Sequence, residues 1–318
     1  MTIFIEKLLS VQRQSNFTHY LGENMLSLEN VTKSFDRVTA IQDISFIAQK
    51  GSVYGLLGPN GAGKTTTIRM IMNIIQPDSG RILIDGKSTT GNVFFNTGYL
   101  PEDRGLYQKR NVGDVIRFFA KLKGLSQNEI TDNCQYWLDR FNMTDQVERK
   151  ISELSKGNQQ KIQFIVSIIS YPDLLILDEP FTGLDPVNQI IMKDIIREFR
   201  DQGKCIVLST HQMDQVEQLC DHICFINKGC VIQEGPLESI RNMHGNQQIE
   251  IRYKNHIPIK PGDFFHSFHV SGNTIRGQLN EDMNFKDVFR LLSEKAEPES
   301  ISRYTPSLED IFIKLVEA

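Results

Sequence analysis

The chain has 318 residues, 40% hydrophobic and 23% charged, with 22 Gly and 11 Pro, which fits one large folded domain or a large and a small one and excludes collagen-like, coiled-coil and disordered classes. Lys and Arg number 35 against 39 Asp and Glu, a net charge of −4. The basic footprint of nucleic-acid binding is missing, so no nucleic-acid partner is expected. Even the most apolar stretch, 164–169, falls far short of the roughly 18 residues that a membrane helix needs.

The first 24 residues mix Ile3, Phe4, Ile5, Leu8 and Leu9 with Glu6 and Lys7, and no small-residue cleavage site follows. They are set apart as an N-terminal extension, 1–24, read as extra residues before a natural start at Met25. Five scattered cysteines, Cys134, Cys205, Cys220, Cys224 and Cys230, read as reduced, buried thiols, because the spacing of Cys220, His222 and Cys224 does not match a zinc site.

From Met25 the elements follow in order. Residues 25–31 and 41–47 alternate like half-buried strands, and 53–57 is a short apolar strand that ends in glycines. A helix over 64–75 closes at Gln76-Pro77-Asp78, and strand 81–84 turns at Asp85-Gly86. Helical periodicity then takes over in an insert spanning about 111–170: a helix over 112–122, a second opened by the capping box of Ser126 and Glu129, and a third over 157–170. Strand 174–177, helix 186–200 with Pro186 in its first turn, strand 205–209 and helix 212–220 alternate, as a parallel sheet requires. A hairpin over 223–227 and 230–233 turns at Lys228-Gly229 and leads out near Met243. The remainder, 244–318, changes texture. It holds a strand over 248–253, a helix over 285–296 and a last helix opened by Ser307 and Asp310, with Leu308, Ile311, Phe312 and Leu315 on one face. It is predicted to be a small α+β accessory domain.

Two motifs carry chemistry. Gly58-Pro59-Asn60-Gly61-Ala62-Gly63-Lys64-Thr65 follows an apolar strand and opens a helix, the context that a phosphate-binding loop requires. Its glycines let backbone N–H groups converge on phosphate oxygens at a helix N-terminus, Lys64 adds a point charge, and the Thr65 hydroxyl suits Mg²⁺. Apolar strand 174–177 runs into Asp178 and Glu179, where one carboxylate can hold Mg²⁺ and the next can deprotonate an attacking water. The strands carrying the two motifs are expected to lie side by side.

With Leu154-Ser155-Lys156-Gly157-Asn158-Gln159-Gln160 between them, these motifs resemble the ATP-binding subunit of ABC transporters over about 25–243. The resemblance implies an α/β P-loop NTPase: a mostly parallel sheet, an antiparallel N-terminal β subdomain and the helical insert, followed here by the α+β domain. It implies ATP and Mg²⁺ as cofactors. Two ATPase domains, a homodimer or a pair with a paralogue, would close head to tail, with Ser155, Lys156, Gly157 and Asn158 forming the signature peptide that meets ATP across the dimer. Lys156 replaces the usual Gly, and Asn158 the usual Gln. By the same resemblance Lys64 and Thr66 belong with the phosphate loop, Glu179 is the catalytic carboxylate, His211 the switch histidine, Asp185 the dimer-coupling residue and Phe35 the aromatic under adenine. Thr65, Asp178 and Glu102 would hold Mg²⁺, with Glu102 standing where a Gln is usual. The stretch Pro101-Glu102-Asp103-Arg104-Gly105-Leu106-Tyr107 resembles an exporter-associated branch. The expected partner is therefore a separate multi-span permease, with the chain peripheral on the cytoplasmic face of the membrane. A second reading, a soluble ABC-type ATPase acting on ribosomes or DNA, usually brings two fused ATPase domains or coiled-coil inserts, and neither is present.

Overall fold

Three short strands, β3 (Val53–Leu57), β7 (Leu174–Asp178) and β8 (Cys205–Thr210), are buried at every position, as central strands of a parallel sheet covered on both faces must be. The computed structural model describes residues 24–89, 96–103, 105–245, 248–295 and 298–317, so most of the N-terminal extension lies outside the described residues. The chain divides between Gly235 and Pro236 into two compact units.

In the first unit, β1 (Asn24–Phe35), β2 (Val38–Gln49), β4 (Ser79–Ile84) and β5 (Lys87–Ser88) form an antiparallel sheet in the order β2-β1-β4-β5. β1 and β2 run well past the predicted 25–31 and 41–47, because their pairing continues to Phe35 and Val38 on either side of Asp36, whose φ is 49°. The second sheet has the order β10-β9-β3-β8-β7-β6, with β6 (Thr97–Leu100), β9 (His222–Asn227) and β10 (Cys230–Pro236). Its five strands from β9 to β6 pair in parallel. The expectation that the two motif strands are neighbours is corrected here: β8 lies between β3 and β7 and pairs with both. β6 escaped prediction because it is only four residues long and contains Gly98.

Helix α1 (Lys64–Ile71) stops four residues before the predicted Ile75. Asn73 there turns into the left-handed region, at φ 55°, which Asn tolerates at a helix end. One apolar cluster joins the two sheets through α1: Leu26, Ile41 and Ile82 from the antiparallel sheet, Ile68 and Ile71 from the helix, and Leu56, Ile176 and Val207 from the parallel sheet. The helical insert contains α2 (Val112–Leu122), α3 (Gln127–Arg140) and α4 (Lys156–Ile168). The predicted capping box opens α3, with Ser126 and Glu129 bonded reciprocally. Next come α5 (Pro186–Asp201) and α6 (Met213–Leu219). Trp137, Tyr171 and Phe199 pack together, with ring centroids 5.7 to 6.2 Å apart.

The second unit begins with α7 (Leu237–Gly245), which packs against the last helix, α9 (Leu308–Glu317). The division at Gly235 places α7 in the second unit, whereas the sequence set the end of the first domain at Met243. Strands β11 (Gln248–Arg252), β12 (Phe265–Ser271), β13 (Thr274–Leu279) and β14 (Ser300–Arg303) form an antiparallel sheet in the order β12-β13-β11-β14. Ile249, Ile251, Phe265, Ile275 and Leu279 pack with Val288 and Leu292 of α8 (Phe285–Lys295). This is an independent core of mixed α+β type. Ser307 and Asp310 cap α9 reciprocally, and Leu308 and Ile311 are buried. Residue 296, the predicted end of α8, lies outside the described residues.

Phe199 is 1% exposed, and its replacement by Ala is expected to cost about 3–5 kcal/mol. The sole tryptophan, Trp137, reports unfolding of the first unit, so a urea titration followed by its fluorescence should show a clearly lowered midpoint for Phe199→Ala. An unchanged midpoint would mean that the ring cluster contributes little.

Candidate nucleotide site

The parallel register brings the chemical residues to one edge. Leu57 pairs with Thr210, Asp178 with Ser209 and Leu100 with Leu177, so the chain leaves β3, β8, β7 and β6 at the same carboxyl edge, where open α/β sheets place their ligands. The segments that follow are the glycine loop, His211, Glu179 and Pro101-Glu102. All but His211 contribute to a cleft of about 380 Å³ lined by Asn60, Gly61, Gly63, Lys64, Thr65, Thr66, Glu102, Asp178 and Glu179, together with Ala40 of β2.

The loop after β3 has little room for side chains. A Cβ on Gly58, whose φ is 151°, would lie 2.1 Å from the Ile226 carbonyl oxygen, and one on Gly63, at φ 112°, would lie 2.5 Å from Ile41 Cδ1. The loop is pinned through the Gly229 N–H, which donates to Ala62 O at 2.9 Å. Lys64, the first residue of α1, is 6% exposed, and its Nζ donates to the carbonyls of Gly58 at 2.7 Å and Pro59 at 3.2 Å. Burial pulls its ammonium below the ordinary lysine range, while Glu179, Asp178 and Glu102 act in the opposite sense. The cation is thus held over the loop on weak acceptors that a phosphate oxygen could replace.

Asp178 is 1% exposed. One of its oxygens accepts from the Ser209 hydroxyl, and the other, Oδ2, is buried with no hydrogen-bond partner among the described residues. Burial raises the carboxyl above its ordinary range, although the hydroxyls of Ser209 and Thr65 oppose the shift. An orphaned carboxylate oxygen beside a threonine hydroxyl fits a hard cation such as Mg²⁺. Among the described residues no group of three or more His, Cys, Asp or Glu side chains could hold a metal by itself, so water or phosphate oxygens would have to complete the shell.

Glu179 takes a left-handed backbone, φ 49°, at a cost of about 1–2 kcal/mol for a non-glycine residue. Its N–H donates to Ser209 O at 3.0 Å, and its carboxylate turns back across the end of β8. There it accepts from Thr210 Oγ1 and the His211 N–H, both at 3.1 Å. His211 Nδ1 lies 2.8 Å from Glu179 Oε1. His211 itself is not among the residues lining the cleft.

Other predicted residues fall elsewhere. Phe35 stands 46% exposed at the end of β1, under the Lys33 ammonium at 5.5 Å from its ring centroid, and does not line the cleft. Ser155 caps α4, accepting from the Asn158 N–H at 3.2 Å. Ser155 and Lys156 are exposed, Gly157 and Asn158 are partly so, and none of the four lines this chain's cleft. Asp185 caps α5 through the Asn188 N–H at 3.0 Å, and this bonding lowers its carboxyl. Sequence reasoning missed Ser209, Thr210 and Gln163. The first two are the hydroxyls directly before His211, and Gln163 is a lone polar residue in an apolar helical run.

Comparison with known proteins agrees with this geometry. The family model described as "ABC transporter" matches residues 41–182, and that described as "ATP-binding protein DrrA1-3-like, C-terminal domain" matches residues 235–316. An uncharacterized ABC transporter ATP-binding protein of Bacillus subtilis, YhaQ, is 38% identical over 296 residues, spanning 92% of this chain and 99% of that protein. The chain belongs to the ABC transporter ATP-binding proteins. A Nod factor export ATP-binding protein I of Burkholderia thailandensis is 31% identical over 91% of this chain and 96% of its own length. A solved ATP-binding subunit of an ABC transporter superposes with a TM-score of 0.67 at 29% identity, over 70% of this chain and 93% of that one. The α/β P-loop fold of this ABC ATPase and its nucleotide-binding class are thereby established.

A carboxyl whose folded pKa is raised costs stability wherever it is ionised in the fold, and that cost vanishes below its unfolded pKa. Nucleotide-free Asp178→Asn should therefore be more stable than the parent near neutral pH, with the difference shrinking as pH falls through the raised pKa of Asp178. Urea midpoints across pH, read from Trp137, check this; a less stable variant at neutral pH would contradict it.

Proposed function

We propose that this ABC ATPase binds and hydrolyses Mg-ATP in the cleft at the carboxyl edge, closes head to tail with a second ATPase domain, and drives export through a separate multi-span permease. The observation that carries it is the convergence of Lys64, Asp178 and Glu179 on one cleft through the register of β3, β8 and β7. In this reading Lys64 exchanges its loop carbonyls for phosphate oxygens, and the N–H groups at the start of α1 cradle the same phosphates. Thr65, Asp178 and Glu102 would hold Mg²⁺, which when bound would supply positive charge to the phosphates. Glu179 accepts a proton from the water that attacks the γ-phosphorus; the new P–O bond forms as the bond to the bridging oxygen breaks and ADP leaves. His211, bonded to Glu179 through Nδ1, orients that carboxylate.

Exposure of Ser155 and Lys156 outside their own chain's cleft supports their use by a partner's ATP, and Asp185 on the next segment would relay between the two sites. Exposed Phe35 is free to stack with adenine. No helix among the described residues is long and apolar enough to cross a membrane, so the translocation path is assigned to another chain and this one to a peripheral position. Export is supported by the likeness to the Nod factor export protein.

Glu179→Gln should lower ATP turnover by about 10² to 10⁴-fold while keeping Mg-ATP bound, read by single-turnover kinetics and equilibrium binding. Used as bait with Mg-ATP on detergent-solubilised host membranes, the same variant should retain a multi-span protein in ATP-dependent amounts. Recovery of soluble partners alone would overturn the transporter reading.

A further inference from the structure

Helix α4 opens at Ser155 and continues inward, and on its buried side two glutamines reach opposite carboxylate-bearing segments of the same chain. The Gln160 amide donates to Pro180 O at 2.9 Å, directly after Glu179. The Gln163 amide nitrogen donates to Pro101 O at 3.0 Å and Asp103 O at 3.1 Å, the two carbonyls that flank Glu102. Gln160 is 3% and Gln163 4% exposed.

Gln163 is the more informative of the two. Both hydrogens of its amide are spent on the loop, while its Oε1 is buried with no partner among the described residues. A buried, half-satisfied amide costs free energy that an apolar residue on this helix face would avoid. What the amide supplies is geometry: it fixes the backbone on both sides of Glu102, whose side chain is otherwise on an exposed loop yet lines the cleft beside Asp178 and Lys64.

We propose that Gln163 is the positioning residue for Glu102: its two hydrogen bonds set Glu102 at the metal side of the cleft and tie that placement to the helix whose first turn carries Ser155 and Lys156. The inference rests on the metal role proposed for Glu102. A carboxylate on an unsupported loop must be ordered each time Mg²⁺ binds; one clamped by a buried helix is already in place. Gln163 touches no nucleotide, so its effect passes through Glu102.

A double-mutant cycle tests this on the full chain, using equilibrium binding of a fluorescent, non-hydrolysable ATP analogue over a range of Mg²⁺ concentrations. Gln163→Met keeps the length of the side chain but not its donors. Gln163→Met and Glu102→Ala should each weaken Mg²⁺-dependent binding about three- to tenfold, as loss of one or two hydrogen bonds would. The double variant should be no weaker than Glu102→Ala alone, because the effects of residues acting through one another do not add. Additive losses, or a Gln163→Met variant that binds like the parent, would overturn the proposal. An unchanged Mg²⁺ dependence in Glu102→Ala would remove the metal role of Glu102 and this inference with it, leaving the ATPase reading to its own test. Urea midpoints from Trp137 check that each variant is folded. If Gln163→Met is not, Gln163→Asn, whose amide is too short to reach both carbonyls, takes its place in the cycle: non-additive losses are again expected, and additive losses or parental binding again overturn the proposal.

Discussion

Everything chemical in the first unit depends on the parallel register of four strands. Paired at Leu57 with Thr210, Asp178 with Ser209 and Leu100 with Leu177, β3, β8, β7 and β6 end together: the segments after β3, β7 and β6 line one cleft, and the end of β8 holds Asp178 and Glu179 in place. Because successive side chains of a strand point to opposite faces, a slip of one residue in any pair would turn Asp178 away from Ser209 and carry Glu179 off the edge. Near-complete burial of these strands enforces the register: every alternative pairing would leave the chain ends staggered and apolar side chains unmatched.

The cleft that results holds more charge than it satisfies. Lys64 borrows loop carbonyls, Asp178 keeps one oxygen unpaired, and Glu179 sits in a backbone conformation that non-glycine residues avoid. Such arrangements are retained where a ligand completes them, and they mark functional sites rather than structural ion pairs. Strain at Glu179 is offset by four local hydrogen bonds: its N–H to Ser209, its carbonyl from Thr182, and its carboxylate from Thr210 and His211. The carboxylate is therefore fixed in place by its own chain, which the role proposed for it would exploit by lowering the reorganisation that a reaction requires.

Helix α4 connects this site to the surface. Its exposed N-terminal turn carries Ser155 and Lys156, for which contact with a partner's ATP is proposed, its interior grips the segments bearing Glu179 and Glu102 through Gln160 and Gln163, and a buried Phe164 packs edge-on with Phe141 of the insert. The second unit is built on other terms. Its antiparallel sheet buries one face against α8, and α9 is closed by the Ser307–Asp310 cap, so it has a core of its own.

The sequence by itself determined the local pieces. The glycine loop between an apolar strand and a helix, the paired carboxylates after strand 174–177, the capping boxes at Ser126 and Ser307 and the alternation of strands and helices all follow from short-range patterns of size, polarity and backbone freedom. Only the tertiary structure decided what those pieces meet. It placed β8 between the motif strands, turned the Glu179 carboxylate onto Thr210 and His211, recruited Ser209 to Asp178 and Gln163 to the Glu102 loop, ended α1 at Ile71 and moved the division of the chain ahead of α7. Apart from the end of α1, which turns on nearby Asn73, none of these leaves a periodic signal, because each joins residues tens to more than a hundred positions apart. Strand order and side-chain pairing are chosen by the packing of whole elements, whereas a strand or a phosphate loop is chosen by its own few residues.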